Sequence, residues 1–413
     1  MVQTLGDRLH PEGCRLRRRL CAATAIGCIG LATLLGEALA QGAPAVRLKP
    51  WGVRGTLPLS KFYDTPAPLP AGKPGELIRS ERFDDYDLPD EVSAIRILYH
   101  TRSATGEDVA VSGVVLVPDR RPPAGGWPVI AWAHGFSGAA RSCAPSLRQN
   151  LEHGPFLSMY VNLGYAVVAT DYAGLGTNFR NAAIDMDSNA TDVINVIPAA
   201  RAAAPALGPR WIAMGTAEGS LAAVAVAELE GEIRDPNYLG SVAISGVDDV
   251  KNMYERLALG PSYRRVAWLA YGVKTVYPQF QVSDMIAAKG LTLYDQIEKT
   301  CAGPEAGPEI RRDEMVKLDW EQNRFVQQFF SRNTAGLRRA FGPLLVISSA
   351  GDPAAPAAAA AQVVARMCRQ GDRVQFYTFP GSDPGQVVGD SVQDQIAWIE
   401  ARFAGRTAPG NCH

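Results

Sequence analysis

Histidine is scarce in this sequence and unevenly placed. The 413 residues include five histidines, His10, His100, His134, His153 and His413, so none lies between residues 154 and 412. Proton-transfer chemistry in the second half of the chain would have to take its imidazole from one of these positions. The sequence also lacks the cysteine–histidine spacing of a metal site, a phosphate-binding glycine loop and a dinucleotide fingerprint, so no metal or other cofactor is expected.

An excess of charge of either sign is also missing. The formal net charge is −1, and the charged residues, 20% of the chain, form no long basic or acidic run. Binding to a nucleic acid or to an anionic membrane surface would need concentrated positive charge. The expected partner is therefore an apolar or neutral small molecule, and nothing in the sequence specifies an oligomeric state.

The first forty residues have the pattern of an export signal. Arg15, Arg17, Arg18 and Arg19 precede an apolar stretch, Leu20 to Leu35, and Ala38-Leu39-Ala40 suits cleavage after Ala40. This stretch is shorter than the roughly twenty residues that span a membrane, which disfavours the alternative of a transmembrane anchor. We predict a signal peptide at residues 1–40, no integral membrane span after its cleavage, and a secreted or periplasmic protein.

Cysteine usage agrees with export. Cleavage after Ala40 leaves four of the seven cysteines: Cys143, Cys301, Cys368 and Cys412. An even number of cysteines outside the cytosol suggests two disulfides, although four cysteines permit three pairings. Four buried thiols are the alternative.

The order of elements predicts the fold class. Residues 41–90, rich in proline and glycine, are interpreted as an extended arm, with regular structure beginning after it. Ala94 to Tyr99 and Val109 to Val117 predict a strand pair at a sheet edge. Further strands are predicted at Pro128 to Ala133, Tyr165 to Thr170, Trp211 to Met214, Leu239 to Ile244, Leu344 to Ser348 and Val374 to Phe379. Helical stretches separate them, namely Ala190 to Ala204, Leu221 to Leu229, Pro356 to Met367 and Ser391 to Phe403. This alternation is typical of an α/β fold with a mostly parallel sheet flanked by helices.

The alternation fails in one long segment. Residues 248–340 contain helical patterns with many aromatic residues, including Trp268 and Phe330, so we predict a helical insertion there between core segments 91–247 and 341–413. An aromatic insertion above the strand ends is well placed to cover a pocket for an apolar ligand. An ordinary helical subdomain with its own core explains the pattern equally well.

One motif points to chemistry. Trp211 to Gly219 runs from a strand through a sharp Gly-x-x-x-Gly turn into a helix, the layout of a nucleophile elbow, whose usual form is Gly-x-Ser-x-Gly. The flanking Gly215 and Gly219 indicate that the crowded backbone geometry is kept. The nucleophile position, however, is Ala217.

Several longer stretches resemble one family. Ala133 to Gly138 followed by Cys143 to Ser146, then Gly164 to Thr177, and Pro198 to Ala203 leading to Trp211 are similar to the secretory lipase family of the α/β-hydrolases. The resemblance covers nearly the whole chain after the predicted signal. It implies an α/β-hydrolase fold with a helical cap insertion.

The resemblance also implies site residues. In chain order nucleophile, acid, histidine, the acid position is Asp352 and the histidine position is Pro384. The oxyanion donors would be the backbone N–H of Glu218 and one from the loop that contains Phe136 and Ser137. The implied disulfides are Cys143–Cys301 and Cys368–Cys412. Without a histidine to orient, Asp352 is interpreted as a cap of the following helix.

Three hypotheses about function follow. The first is an exported lipase homologue that is inactive as a Ser-His-Asp hydrolase and binds acyl or other apolar ligands. The second is a carboxylic ester hydrolase with a relocated nucleophile and base, drawn from Ser137, Thr216, Ser220 and His134. The third, a structural or interaction protein at the cell exterior, has no supporting surface signal. One sequence also leaves open that Ala217 and Pro384 are introduced changes.

Overall fold

A computed structural model describes residues 55–301 and 307–412. The predicted signal peptide and the first part of the predicted arm lie outside these residues. Nine strands form one sheet in the order β1-β2-β3-β5-β4-β6-β7-β8-β9. Their bounds are β1 Leu77–Arg82, β2 Val92–Arg102, β3 Asp108–Pro118, β4 Trp127–Ala133, β5 Ala166–Thr170, β6 Leu207–Thr216, β7 Tyr238–Ile244, β8 Leu344–Ser349 and β9 Val374–Phe379.

The sheet is mostly parallel, as the sequence predicted. Strands β1, β2, β3 and β5 pair antiparallel in that order, whereas all pairs from β5 through β4, β6, β7 and β8 to β9 are parallel. Parallel strands place their carboxyl ends at one edge of the sheet, which is where ligand sites of this class form. The residues that follow β4, β5, β6, β7 and β8 therefore meet at that edge.

Eleven helices are described. Their bounds are α1 Gly154–Asn162, α2 Met186–Ala203, α3 Glu218–Ile233, α4 Val250–Leu259, α5 Val266–Val276, α6 Ala288–Tyr294, α7 Arg312–Met315, α8 Arg324–Arg332, α9 Ala357–Arg369, α10 Gln386–Asp390 and α11 Val392–Phe403. Helices cover both faces of the sheet, because residues of β4 alternate between two buried clusters. Val129 and Ala131 join the cluster that contains α2 and α3, whereas Ile130 and Trp132 join the cluster that contains α1 and α11. No helix in the described ranges is long and apolar enough to span a bilayer.

The predicted arm includes an edge strand that the sequence analysis did not predict. Strand β1 lies within residues 41–90 and pairs with β2, from Leu77 opposite Tyr99 to Arg82 opposite Ile95. Its sequence, Leu-Ile-Arg-Ser-Glu-Arg, has too few apolar residues for a buried strand. The expectation that regular structure begins only after residue 90 is therefore wrong, because backbone pairing with β2 orders this segment.

A buried carboxylate joins α2 to the helical insertion, the segment between β7 and β8 that carries α4 to α8. Asp185 is the N-cap of α2 and accepts a hydrogen bond from the Ser188 N–H. It also forms an ion pair with Arg332 of α8 at 2.6 Å from Nε and accepts a hydrogen bond from Asn333 Nδ2 at 3.2 Å. Asp185 is fully buried, so these partners compensate the cost of removing its carboxylate from water.

Most aromatic side chains of the helical insertion are buried. Tyr254, Tyr271, Phe280, Trp320, Phe325, Phe329 and Phe330 all lie in the large cluster that also contains α2 and α3. Trp268 of α5 is instead half-buried, and its ring centroid lies 4.1 Å from that of Phe136 in the loop after β4. The insertion thus has a packed interior and also reaches the loop that the sequence analysis assigned to the site.

Two disulfides join the four cysteines of the described ranges. Cys143 is bonded to Cys301 with a Cα–Cα distance of 5.4 Å, and Cys368 is bonded to Cys412 with a Cα–Cα distance of 5.3 Å. These are the two pairs that the family resemblance implies. The first connects the segment after β4 with the helical insertion, and Gly138 lies against it, since a Cβ there would be 2.7 Å from the Cys143 sulfur.

Candidate functional site

The strand-to-helix turn after β6 has the geometry of a nucleophile elbow. Strand β6 ends at Thr216 and α3 begins at Glu218, so Ala217 alone forms the turn, with φ 51° and ψ −120°. A non-glycine residue at positive φ is strained, and such strain persists only where the surroundings impose it. Ala217 is exposed, so the apex is accessible from solvent. The predicted turn is therefore present, with a methyl group at its apex.

Close packing explains the two glycines of the elbow. A Cβ at Gly215 would overlap the Gly219 carbonyl oxygen, and a Cβ at Gly219 would overlap the Ala133 carbonyl oxygen. Both overlaps involve backbone atoms, which cannot move aside as a flexible side chain can. The glycines therefore hold the elbow against the end of β4.

The substitution Gly219→Ala is expected to lower the free energy of unfolding by about 1–3 kcal/mol, since an added methyl group must displace backbone. Urea unfolding followed by circular dichroism measures this. The control is Gly385→Ala, because Gly385 has helical φ and ψ and a Cβ there would meet only Asp383 Oδ1, at 3.4 Å. Equal stability of the Gly219→Ala variant and the unaltered chain would show that the elbow is looser than described.

The loop after β4 lies beside the elbow. A Cβ at Gly135 would be 3.2 Å from the Cβ of Ala217. The next residues, Phe136 and Ser137, are half-buried, and the Ser137 hydroxyl has no hydrogen-bond partner among the described residues. Glu218 is the first residue of α3, where backbone N–H groups have no partner within the helix. The loop that contains Phe136 and Ser137 thus lies next to the elbow, where Glu218, the third expected oxyanion residue, begins α3.

The Glu218 side chain forms hydrogen bonds within the protein. Its Oε1 accepts hydrogen bonds from the Ile184 N–H at 2.6 Å and from Asn189 Nδ2 at 2.9 Å. Burial raises the pKa of the Glu218 carboxyl to about 7. The side chain therefore connects the elbow with the start of α2.

His134 is positioned as part of the loop framework. Its Nδ1 lies 2.6 Å from the Gly135 carbonyl oxygen, and its Nε2 lies 3.1 Å from the Asp171 carbonyl oxygen. The ring stacks on Tyr172 at 4.2 Å, and burial lowers the pKa of the imidazole. A base must present a free nitrogen lone pair to a hydroxyl, and both nitrogens of His134 face backbone carbonyls.

The other described histidines also have local partners. His153 packs edge-on against Trp132, and burial lowers the pKa of its imidazole to about 3. His100 lies on β2, where its Nδ1 is 3.0 Å from Asp108 Oδ1. His153 thus packs at the start of α1, and His100 packs on β2.

Asp352 follows β8, as the family resemblance implies. Its Oδ1 accepts hydrogen bonds from the N–H groups of Ala354 and Ala355, at 2.9 and 3.0 Å. The interpretation of Asp352 as a helix cap is wrong, because the N-cap of α9 is Pro356 and both donors precede the helix. Asp352 instead stabilises the turn between β8 and α9.

A serine that the sequence analysis missed completes the surroundings of Asp352. Ser245, directly after β7, donates its hydroxyl to Asp352 Oδ2 at 3.2 Å. Ser245 is buried and has φ 51°, and a Cβ at the following Gly246 would lie 2.6 Å from the Ala217 carbonyl oxygen. Ser245 and Gly246 therefore connect the elbow with the acid position. The only sequence signal was a polar residue at a strand end.

A cation also lies at this edge. Arg256 of α4 donates to the Ala354 carbonyl oxygen at 2.6 Å and forms an ion pair with the buried Asp248. The Arg256 Nε is buried without a hydrogen-bond partner among the described residues. The helical insertion is thus connected to the turn that carries Asp352.

Pro384 lies in the loop between β9 and α10 and is half-buried. The loop adjoins the end of β8, because the Ser349 hydroxyl donates to the Ser382 carbonyl oxygen and a Cβ at Gly351 would lie 3.0 Å from the same atom. The loop of Pro384 and the turn of Asp352 are therefore neighbours. No group of three or more histidine, cysteine, aspartate or glutamate side chains in the described ranges is arranged to hold a metal ion.

Solved structures of other proteins share this fold. Among solved structures, Candida antarctica lipase A in its closed state is 18% identical over 87% of this chain and 89% of its own, with a TM-score of 0.74. A ligand-bound form of the rice cell wall degrading esterase LipA from Xanthomonas oryzae is 16% identical over 80% of this chain and 98% of its own, with a TM-score of 0.67. These similarities establish the α/β-hydrolase fold. No match is found among curated protein sequences.

The family itself is identified by sequence. The profile of the secretory lipase family matches residues 151–411, which is more than half of the chain. The matched range begins before α1 and includes the elbow, the helical insertion, Asp352 and Pro384. The chain therefore belongs to the secretory lipase family and is a lipase- or esterase-like protein of the α/β-hydrolase fold.

Proposed function

We propose that the protein is an exported lipase homologue that is inactive as a Ser-His-Asp hydrolase and binds an acyl chain or another apolar ligand beside its elbow. The observation that carries the proposal is Ala217 at the exposed apex of an otherwise preserved elbow. A methyl group there offers no nucleophile. The signal peptide predicted at residues 1–40 and the two disulfides support export, because disulfides persist in oxidising compartments.

The surroundings of Ala217 support the absence of triad catalysis. No histidine lies between residues 154 and 412, and Pro384 stands in the loop where the family resemblance places one. Asp352 takes its hydrogen bonds from Ser245 and from backbone N–H groups, so its carboxylate is held without an imidazole. Triad members act as a unit, so loss of the serine alone removes most of the catalysis.

A binding role is supported by what remains around the elbow. Phe136 and Trp268 form a half-buried aromatic pair between the loop after β4 and the helical insertion. Backbone N–H groups of Glu218 and of the Phe136–Ser137 loop are the candidates to receive a carbonyl or carboxylate oxygen. An acyl ligand offers an oxygen for these donors and a hydrocarbon chain for the aromatic pair.

We expect the protein to bind octanoic acid but not to hydrolyse p-nitrophenyl octanoate. Calorimetry should detect octanoic acid binding, while release of p-nitrophenol stays at the rate of the buffer. Phe136→Ala should weaken binding by about tenfold, since it removes most of one apolar contact. Phe376→Ala is the matched control, because Phe376 is also half-buried but lies on β9. Absence of octanoic acid binding would contradict the proposed ligand class.

The alternative is an ester hydrolase with relocated groups. Of its candidates, Ser220 donates its hydroxyl to the Ala217 carbonyl oxygen at 2.7 Å, and both nitrogens of His134 face carbonyls. A fluorophosphonate labels serine only where the hydroxyl is activated, so we expect no labelling. A single mapped adduct on Ser137, Ser220 or Ser245, together with ester hydrolysis, would support this alternative instead.

A further inference from the structure

A cavity of about 440 Å³ opens at the carboxyl edge of the sheet. The turn between β2 and β3, the segment after β5, the start of α2 and the end of α5 enclose it. Its charged, polar and aromatic lining includes Glu107, Phe179, Arg180, Asn181, Asp192 and Lys274. Ala217 and Phe136 do not line it. The cavity is therefore distinct from the elbow, although its lining residue Asn189 donates to Glu218.

Asp192 is a buried acid without a counter-ion. Its Oδ1 accepts from the Thr101 hydroxyl at 2.8 Å, and its Oδ2 accepts from the Ala173 N–H at 2.7 Å. Asn195 Nδ2 donates to Thr101 Oγ1 at 3.0 Å, which leaves the Thr101 proton for Asp192. Asp192 is 1% exposed, and it makes no ion pair with any residue of the described ranges. Each carboxylate oxygen can still accept another hydrogen bond.

The cations of the lining direct their donors toward the protein. The Arg180 guanidinium lies 2.9 Å from Glu298 and donates to Thr275 Oγ1 and to Tyr294 Oη, each at 2.9 Å. The Lys274 ammonium donates to the carbonyl oxygens of Pro278 and Phe280, at 2.6 and 2.9 Å. Arg180 is thus paired with a carboxylate, whereas Lys274 has no acidic partner among the described residues and hydrogen-bonds the chain just after α5.

The lining holds two acids, Asp192 and Glu107, and two cations, Arg180 and Lys274. Because Glu298, outside the lining, pairs with Arg180, the lining together with Glu298 carries one excess negative charge when Asp192 is ionised. A carboxylate removed from water is costly unless a cation or several donors compensate it. The half-buried ring of Phe179 adds a face to which a cation is attracted.

We propose that this cavity binds a small organic ammonium ion, with Asp192 as its counter-ion and the Phe179 ring as its aromatic contact. The site uses neither Ala217 nor the oxyanion donors. It therefore goes beyond the proposed acyl binding at the elbow, and either can hold without the other.

Calorimetry with choline tests the proposal on the chain that lacks the predicted signal peptide. The comparison ligand is dimethylbutanol, the neutral isostere of choline in which carbon replaces nitrogen. At pH 8, choline should bind with one-to-one stoichiometry, at least about tenfold more tightly than dimethylbutanol, because only the cation compensates Asp192. Asp192→Asn should remove this preference. Asp85→Asn should retain it, because Asp85 is an exposed aspartate outside the cavity lining.

The pH dependence provides a second readout. Burial raises the pKa of Asp192 to about 7, so choline affinity should fall by about tenfold from pH 8 to pH 6 as the carboxyl takes up a proton. Burial raises the pKa of the neighbouring Tyr99 and Tyr172 hydroxyls, which stay neutral over this range. Glu218 also titrates near 7, but it remains in the Asp192→Asn variant. Persistence of the pH dependence in that variant would overturn the assignment to Asp192.

The remaining outcomes are also decisive. Equal affinity for choline and dimethylbutanol, or no binding of choline, would overturn the proposal. If Asp192→Asn does not fold, Phe179→Leu replaces it, and choline binding by that variant should be at least threefold weaker, about 0.7 kcal/mol. Octanoic acid binding beside Ala217 is measured separately, so failure of the choline experiment leaves the proposed function in place.

Discussion

The double variant Ala217→Ser, Pro384→His is expected to hydrolyse p-nitrophenyl butyrate at least about a hundredfold faster than the unaltered chain. Serine at the apex would have its hydroxyl exposed at φ 51°, in the geometry that Ala217 already has. A histidine at position 384 would lie in the loop that adjoins the Asp352 turn. Asp352 would then orient the imidazole, which activates the serine. Release of p-nitrophenol measures the gain.

The single variants and a triple variant are the controls. Ala217→Ser and Pro384→His should each stay near the rate of the unaltered chain, because the groups act as a unit. Adding Asp352→Ala to the double variant should remove most of the gain. If the folded double variant shows no gain, the double variant Ala217→Ser, Gln386→His tests whether the alignment of the loop is shifted by two residues. Failure of both would contradict the assignment of the loop.

The substitution Asp185→Ala is expected to lower the free energy of unfolding by about 3–5 kcal/mol. It would leave the Arg332 guanidinium without its counter-ion and α2 without its N-cap. The carboxylate is fully buried, so water cannot replace it at the N-cap, whereas the Arg332 side chain is 31% exposed and keeps partial contact with water. Urea unfolding followed by tryptophan fluorescence measures the change.

A second substitution separates the charge effect from the cap effect. Arg332→Met in the Asp185→Ala background should recover part of the loss, because it removes the uncompensated cation. Asp85→Ala, at an exposed aspartate, should change stability by less than about 0.5 kcal/mol. A loss below about 1 kcal/mol for Asp185→Ala would mean that the ion pair contributes little to holding the helical insertion on the core.

The parallel strands were predictable because both of their faces are buried. Continuous apolar runs identify such strands, and the predicted strand Leu344 to Ser348 differs by one residue from β8, Leu344–Ser349, which is buried along its whole length. Helix starts were less predictable. Helix α2 begins at Met186 rather than at the expected Ala190, because Asp185 caps it and Arg332 of α8 holds that carboxylate. A cap stabilised by a residue far along the chain has no local signal.

The candidate site was predictable to a different extent for each residue. Ala217 was identified by the glycines around it, whose need follows from backbone packing. Asp352 and Pro384 were placed by resemblance, and the structure puts their loops side by side. The hydrogen bond from Ser245 to Asp352 was not predictable, because it joins the ends of two strands that are about a hundred residues apart in sequence. Contacts between strand ends depend on the order of strands in the sheet.

The bond between Cys143 and Cys301 closes a covalent ring of chain. The two cysteines are 158 positions apart, and the elbow and helices α4 to α6 lie between them. A protease that cuts once anywhere inside this ring therefore produces two polypeptides that remain joined under non-reducing electrophoresis. They separate only after a thiol reductant is added. A nicked molecule can thus retain both the elbow and the helical insertion.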